Sequence, residues 1–251
     1  MHSRDLIPVP RLLSAKNVLV IFPHPDDAEL AAGGTVAFLT RNGASVTYAP
    51  ATDGSLGSLD PSVDPEQMAE IRKKELEAAG AVLGVREIIW LGYKDGFTPE
   101  PAEMREGMVT IIRKVRPDFV ITLDPWLPYE AHPDHRKVSM AAVEACMYAS
   151  FIHAYPGDRE RGLEPWSVTG VALGLSPAPN TFIDVSSTWD KKIEAMLCHK
   201  SQFPEPIWNQ VLPYMQLKAQ EYGKEIGRDL AEPFKVLSLT HLHVNIDAWR
   251  S

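Results

Sequence analysis

The feature that most restricts the fold is an alternation. Four short apolar runs, at residues 18–22, 44–49, 87–91 and 118–123, are separated by stretches whose apolar side chains recur at helical spacing. A continuous apolar run of this length suits a strand buried on both faces. Strands that alternate with helices need crossover connections, and these build a parallel, right-handed, doubly wound sheet. We therefore expect an α/β, Rossmann-like, mostly parallel sheet over residues 17–150. Beyond residue 160 the pattern loosens into strands at 167–173 and 181–185 and a helix at 189–200. One or two helices follow within 207–226, and a strand or two within 234–243. This half is expected to complete the pocket, within one domain spanning residues 1–251.

Ligands of open parallel sheets bind outside the carboxyl ends of the strands. The first run hands over to a helix through Phe22-Pro23-His24-Pro25-Asp26-Asp27-Ala28-Glu29. A histidine and two adjacent carboxylates there suit a metal with a base beside it; otherwise Asp26 and Asp27 merely cap the helix. The fourth run leads to His132-Pro133-Asp134-His135-Arg136. Pro133 in a helical first turn puts His132 at or near the N-cap, with His135 able to face the same way. The two strand ends thus gather His24, Asp26, Asp27, His132, Asp134 and His135 in one crevice. A catalytic zinc takes three protein ligands and keeps one position open. Two histidines and one carboxylate meet that need. Of the remainder, one carboxylate and one histidine can serve as base and oxyanion donor, a set that suits amide hydrolysis.

Residues 65–84 form the clearest helix, with Met68, Leu76, Ala79, Val82 and Leu83 on one face at about 100° per residue. Arg72 and Glu75 fall inside that stripe. An inward charge needs a partner, so they either pair with each other or support the site. The loop at residues 52–58 either admits a polar ligand or is an ordinary glycine-rich turn. His199, His241 and His243 lack ligand-spaced neighbours and read as surface or satisfied-core histidines. Cys146 and Cys198 read as small buried hydrophobes and not as a disulfide.

A net charge of −8 leaves no basic excess for a nucleic-acid backbone. The first ten residues lack the apolar core of a signal peptide, and no run approaches the roughly 20 apolar residues of a membrane span. A cytoplasmic protein without nucleic-acid partners or a transmembrane segment is expected.

His24-Pro25-Asp26-Asp27, followed about a hundred residues later by His132-Pro133-Asp134-His135, resembles the LmbE/PIG-L family of zinc-dependent de-N-acetylases. The resemblance covers residues 17–150. It implies Zn2+ bound by His24, Asp27 and His135, with Asp26 as the general base for the attacking water. It implies that His132 stabilises the oxyanion, or protonates the leaving amine, and that Asp134 orients or charge-stabilises a histidine. Arg72, and then Asp53 and Asp95, are implied on the substrate side. The implied substrate is a small N-acetylated sugar or sugar conjugate of the N-acetylglucosamine type, and a homo-oligomer is compatible with it. An amidase acting on a thiol-sugar conjugate and a non-catalytic metal-binding Rossmann-like module are the alternatives. Where several family members carry a tyrosine two residues before the second motif, this chain has Glu130, next to Tyr129.

Overall fold

In the computed structural model, which describes residues 6–250, one seven-stranded sheet runs through both halves of the chain. The remaining residues of the N-terminal stretch read above lie outside the described residues. The strands are β1 (Asn17–Phe22), β2 (Ser45–Pro50), β3 (Glu87–Ile88), β4 (Phe119–Leu123), β5 (Gly170–Gly174), β6 (Thr181–Asp184) and β7 (Ala231–Leu237). Their order is β3-β2-β1-β4-β5-β7-β6. The first five are parallel, and β7 runs antiparallel to both β5 and β6. The order reverses at β1, which pairs with β2 on one side and β4 on the other. That seam is where an open α/β sheet leaves a crevice.

Eight helices are described: α1 (Asp27–Arg41), α2 (Pro65–Leu83), α3 (Pro101–Val115), α4 (Pro133–Tyr148), α5 (Pro156–Glu160), α6 (Trp189–Met196), α7 (Glu205–Glu225) and α8 (Leu239–His243). Alternation along β1 divides the core. Val18, Val20 and Phe22 pack with residues of α1, α2, α6 and α7 on one face. Leu19 and Ile21 pack with residues of α3 and α4 on the other. Both faces are dry, so the strands carry continuous apolar runs.

The later half locks onto α1 through charge. Glu232 of β7 accepts the N–H groups of Gly34 (3.0 Å) and Thr35 (2.7 Å) and pairs with buried Lys192 at 2.6 Å. The Gly33-Gly34 pair permits this approach, because a Cβ on Gly34 would stand 2.8 Å from Val185. Among the described residues no helix is long and apolar enough to cross a membrane. Both cysteines are free, Cys146 fully buried and Cys198 half-buried. His199 is buried with Nε2 3.2 Å from Glu29 Oε2, and His241 is buried at the start of α8.

Two expectations need correction. The third strand stops after Ile88, although Ile89 and Leu91 still donate to the carbonyls of Tyr48 and Pro50. The return bond to Ile89 would come from position 50, a proline with no N–H. The last expected strand begins earlier, at Ala231, and gives way to α8 because Ser238 caps the His241 N–H at 3.3 Å.

Candidate active site

Beyond Phe22 the chain turns sharply before α1. Asp26 occupies the N-cap position with φ 123°, a conformation that L-residues avoid at a cost of about 1–3 kcal/mol. Its side chain caps nothing, so the capping alternative does not hold. Asp26 Oδ1 instead lies 3.2 Å from Arg72 Nη2. Arg72 reaches it from α2, is almost fully buried, and also donates to the carbonyls of Pro25 and Gly54. Of the two alternatives for Arg72, the pair with Glu75 is not made. Arg72 is taken up by Asp26 and the two carbonyls, and Glu75 accepts the Ser201 N–H and hydroxyl at 2.8 and 2.6 Å. Burial pushes the Asp26 carboxyl up to about 7, against the pull of the Arg72 guanidinium.

Asp27, one residue on, faces differently. Its Oδ2 accepts the His24 N–H at 2.8 Å and lies 3.2 Å from His24 Nδ1, while Oδ1 lies 3.5 Å from His135 Nε2. The other nitrogen of His135, Nδ1, is 3.0 Å from Glu130 Oε2. Both nitrogens face carboxylates, which only accept, and the closer contact places the ring proton on Nδ1 and leaves Nε2 facing Asp27. Ligand atoms of His24, Asp27 and His135 all lie within 4.8 Å of one another. Two imidazoles and one carboxylate converging this closely fit a cation, and they form a donor set that zinc accepts.

The far side of His24 makes the same demand. Its Nε2 contacts Asp95 Oδ1 at 3.2 Å and Asp134 Oδ2 at 3.3 Å. Burial alone would lower the pKa of this ring, but Asp134, Asp27 and Asp95 override it and push it up to about 11. Asp134 is fully engaged, taking the Gly96 N–H (2.7 Å) and the Thr98 hydroxyl (2.6 Å) besides His24. Burial would raise its pKa, yet these three partners hold it well below the usual carboxylate range. His24, Asp95, His132 and Asp134 form a second close group. Its carboxylates already serve His24 Nε2, so it reads as the frame that orients the first group.

His132 is the N-cap of α4, and its Nδ1 accepts the Asp134 N–H at 3.3 Å. The ring proton therefore sits on Nε2. Partial burial and the neighbouring His24 and His135 rings hold its pKa below the ordinary value. The rings of His132 and His135 stack 4.8 Å apart.

These residues surround one hollow of about 310 Å³, lined by His24, Asp26, Asp27, Arg72, Asp95, His132 and His135. A larger hollow, about 750 Å³, is lined chiefly by apolar side chains such as Trp189 and Met215 and holds none of them. Chemistry, not size, selects the site. Two of the expected residues do not line the hollow: Asp134 stands behind His24, and Asp53 Oδ1 accepts the N–H groups of Ser55 (3.0 Å) and Asp95 (3.3 Å), shaping the loops behind it. Gln202 was not foreseen. It enters the wall from beyond α6 and donates to the Gly57 carbonyl at 3.0 Å, with no motif around it to give it away.

Comparison with known proteins agrees with this geometry. The family described as PIG-L, GlcNAc-PI de-N-acetylase, matches residues 19–146, which include both strand-end motifs. A diacetylchitobiose deacetylase of Thermococcus kodakarensis is 39% identical over 229 residues, covering 91% of this chain and 86% of the relative. A probable N-acetyl-alpha-D-glucosaminyl L-malate deacetylase 2 of Bacillus cereus is 33% identical, covering 74% and 84% respectively. Among solved structures, the N,N'-diacetylchitobiose deacetylase of Pyrococcus horikoshii, complexed with its inhibitor MPG, superposes with a TM-score of 0.89 at 38% identity. That match covers 92% of this chain and 87% of the other. With both motifs inside the matched span and the same fold around them, the chain belongs to the PIG-L family of de-N-acetylases.

Proposed function

We propose that this protein is a zinc-dependent hydrolase that removes the N-acetyl group from an N-acetylglucosamine-type substrate. The observation that carries the reading is the division of labour between neighbours. Asp27 faces His24 and His135, while Asp26 is turned away from them and held by Arg72. A zinc ion held by His24, Asp27 and His135 supplies a Lewis acid that acidifies water and polarises an amide carbonyl.

The protein's own groups do the rest. Asp26 accepts the proton of the attacking water as its oxygen bonds to the acetyl carbon; Arg72 fixes the carboxylate in position. His132 offers the neutral Nε2–H to the developing oxyanion. A ring with a single proton is a hydrogen-bond donor and a poor proton source. The proton that reaches the departing nitrogen is therefore the one Asp26 took. Water adds across the C–N bond, giving acetate and the free amine. Asp134 and Asp95 keep the His24 ring turned so that Nδ1 faces Asp27.

The test is release of acetate from N-acetylglucosamine and N,N'-diacetylchitobiose by the full chain. Chelation should abolish it and added zinc restore it. Asp26→Asn should keep its zinc and lose activity, and His135→Ala should lose zinc. An active metal-free enzyme, or inactivity on both sugars with release of a larger acid from a thiol-sugar conjugate, would overturn the reading.

A further inference from the structure

We propose that Glu130 is a positioning residue of this site, one carboxylate that aims His135 at its metal and His132 at the substrate. The inference rests on the reading of His135 as a metal ligand. Two bonds diverge from the side chain. Oε2 lies 3.0 Å from His135 Nδ1, and Oε1 accepts the His132 backbone N–H at 2.8 Å.

Each bond does a separate job. A neutral imidazole can bind a metal through either nitrogen, and free rotation would present the wrong one half the time. An acceptor-only carboxylate on Nδ1 places the proton there, fixes the rotation and raises the basicity of Nε2. At His132 the backbone N–H precedes the first turn of α4 and has no helical partner. Glu130 takes it and so sets the backbone from which the ring's Nδ1 reaches the Asp134 N–H. The tautomer of each ring is thus fixed, one directly and one through the helix start.

The approach to Glu130 shows that the chain is bent for this purpose. Tyr129 adopts φ 65°, the left-handed region that a side chain disfavours, in a turn closed by the Glu130 N–H on the Leu127 carbonyl at 3.3 Å. The Tyr129 side chain is fully exposed, so no packing of its own offsets that strain. What the turn delivers is the carboxylate one residue later. Strain concentrated beside a site and unrelated to packing is a mark of placement.

The experiment is metal affinity, measured apart from catalysis. Chelator-stripped full-length protein is titrated with Zn2+ against a chromophoric competitor, and with Co2+ followed by its visible spectrum. Glu130→Ala should weaken zinc binding by about 10- to 100-fold, with the metal-free variant unfolding at the wild-type temperature. Glu130→Gln, which keeps an accepting oxygen but no charge, should fall between. If Glu130→Ala does not fold, Glu130→Gln carries the test: weakened affinity supports the proposal and wild-type affinity overturns it. If His135→Ala loses zinc while both Glu130 variants bind as the wild type does, this proposal fails and the ligand assignment stands. If His135→Ala binds zinc as the wild type does, both fail.

Discussion

Arg72 Nη2 and Asp26 Oδ1 lie 3.2 Å apart, the guanidinium buried and the carboxylate reachable from the pocket. The arginine thus touches Asp26, the proposed base, and the two loops beside it, the Pro25 turn and the Gly54 loop. Arg72→Ala should lower kcat by about 10²–10⁴-fold, the range for a misplaced general base, while zinc content stays at the wild-type level. Removing the positive charge also lets the Asp26 pKa rise further. The acid limb of kcat/KM should move to higher pH, since the base works only when deprotonated. Lysine should not rescue, because it cannot span three acceptors from one plane. Loss of zinc in Arg72→Ala would show that the residue supports the ion site and not the base.

Gly57 tests the same contact from outside. A Cβ there would stand 2.7 Å from Arg72 Nη1 and 2.9 Å from Gln202 Nε2. Both are the far ends of long side chains, so they can shift with little effect on folding, at the expense of the bonds they hold to the Gly54 and Gly57 carbonyls. Gly57→Ala should leave the melting temperature nearly unchanged and reduce kcat/KM by about tenfold or more, the scale of a displaced positioning group. Unchanged kinetics would mean that Arg72 tolerates displacement.

Gly34→Ala has the opposite signature. Alanine favours a helix interior by about 1 kcal/mol, but here its Cβ meets stiff, β-branched Val185 at 2.8 Å and crowds Glu232 Oε1 at 3.2 Å. Overpacking costs about 1–3 kcal/mol, and disturbing the Glu232–Lys192 pair adds the penalty of a poorly matched buried charge. Chemical denaturation should show a net destabilisation. A more stable variant would mean that β6 and α1 can separate freely.

Far from the pocket, Arg113 and Asp158 form an ion pair at 2.9 Å with both side chains fully buried. Burial would raise the Asp158 pKa, but Thr110, Arg161 and Arg113 together hold it below its ordinary value. A carboxyl lowered in the folded state stabilises above its unfolded pKa of about 4, and the contribution is lost as pH falls through the lower folded value. Asp158→Asn should cost about 3–5 kcal/mol at neutral pH by stranding Arg113. Its stability should vary less than the wild type's between pH 4 and the acid end, as measured by urea midpoints. Parallel profiles would refute the assignment.

The sheet and the strand-end motifs were legible because they depend on local pattern. Apolar runs announce strands buried on both faces, and Pro133 after His132 announces a helix start with its cap. The partners of inward charges were not legible. Periodicity showed that Arg72 points inward but could not distinguish Glu75, on its own helix, from Asp26, on another. Gln202 and Thr98 sit in the site without any motif, since single residues brought in by distant loops leave no spacing to read. Asp53 was implied on the substrate side by the resemblance alone, and the bonds it accepts from Ser55 and Asp95 could not be read from the sequence.

The seam between β1 and β4 has a consequence for how the protein is made. His24 and Asp27 follow one strand and His135 the other, with Val18 paired to Phe119 across the seam. Neither strand end supplies all three proposed ligands. On that proposal a nascent chain makes the first two before the third, and completes the site only when the fourth strand has docked beside the first. Under the proposed ligand set, ion capture would report a folding event, the docking of β4 beside β1.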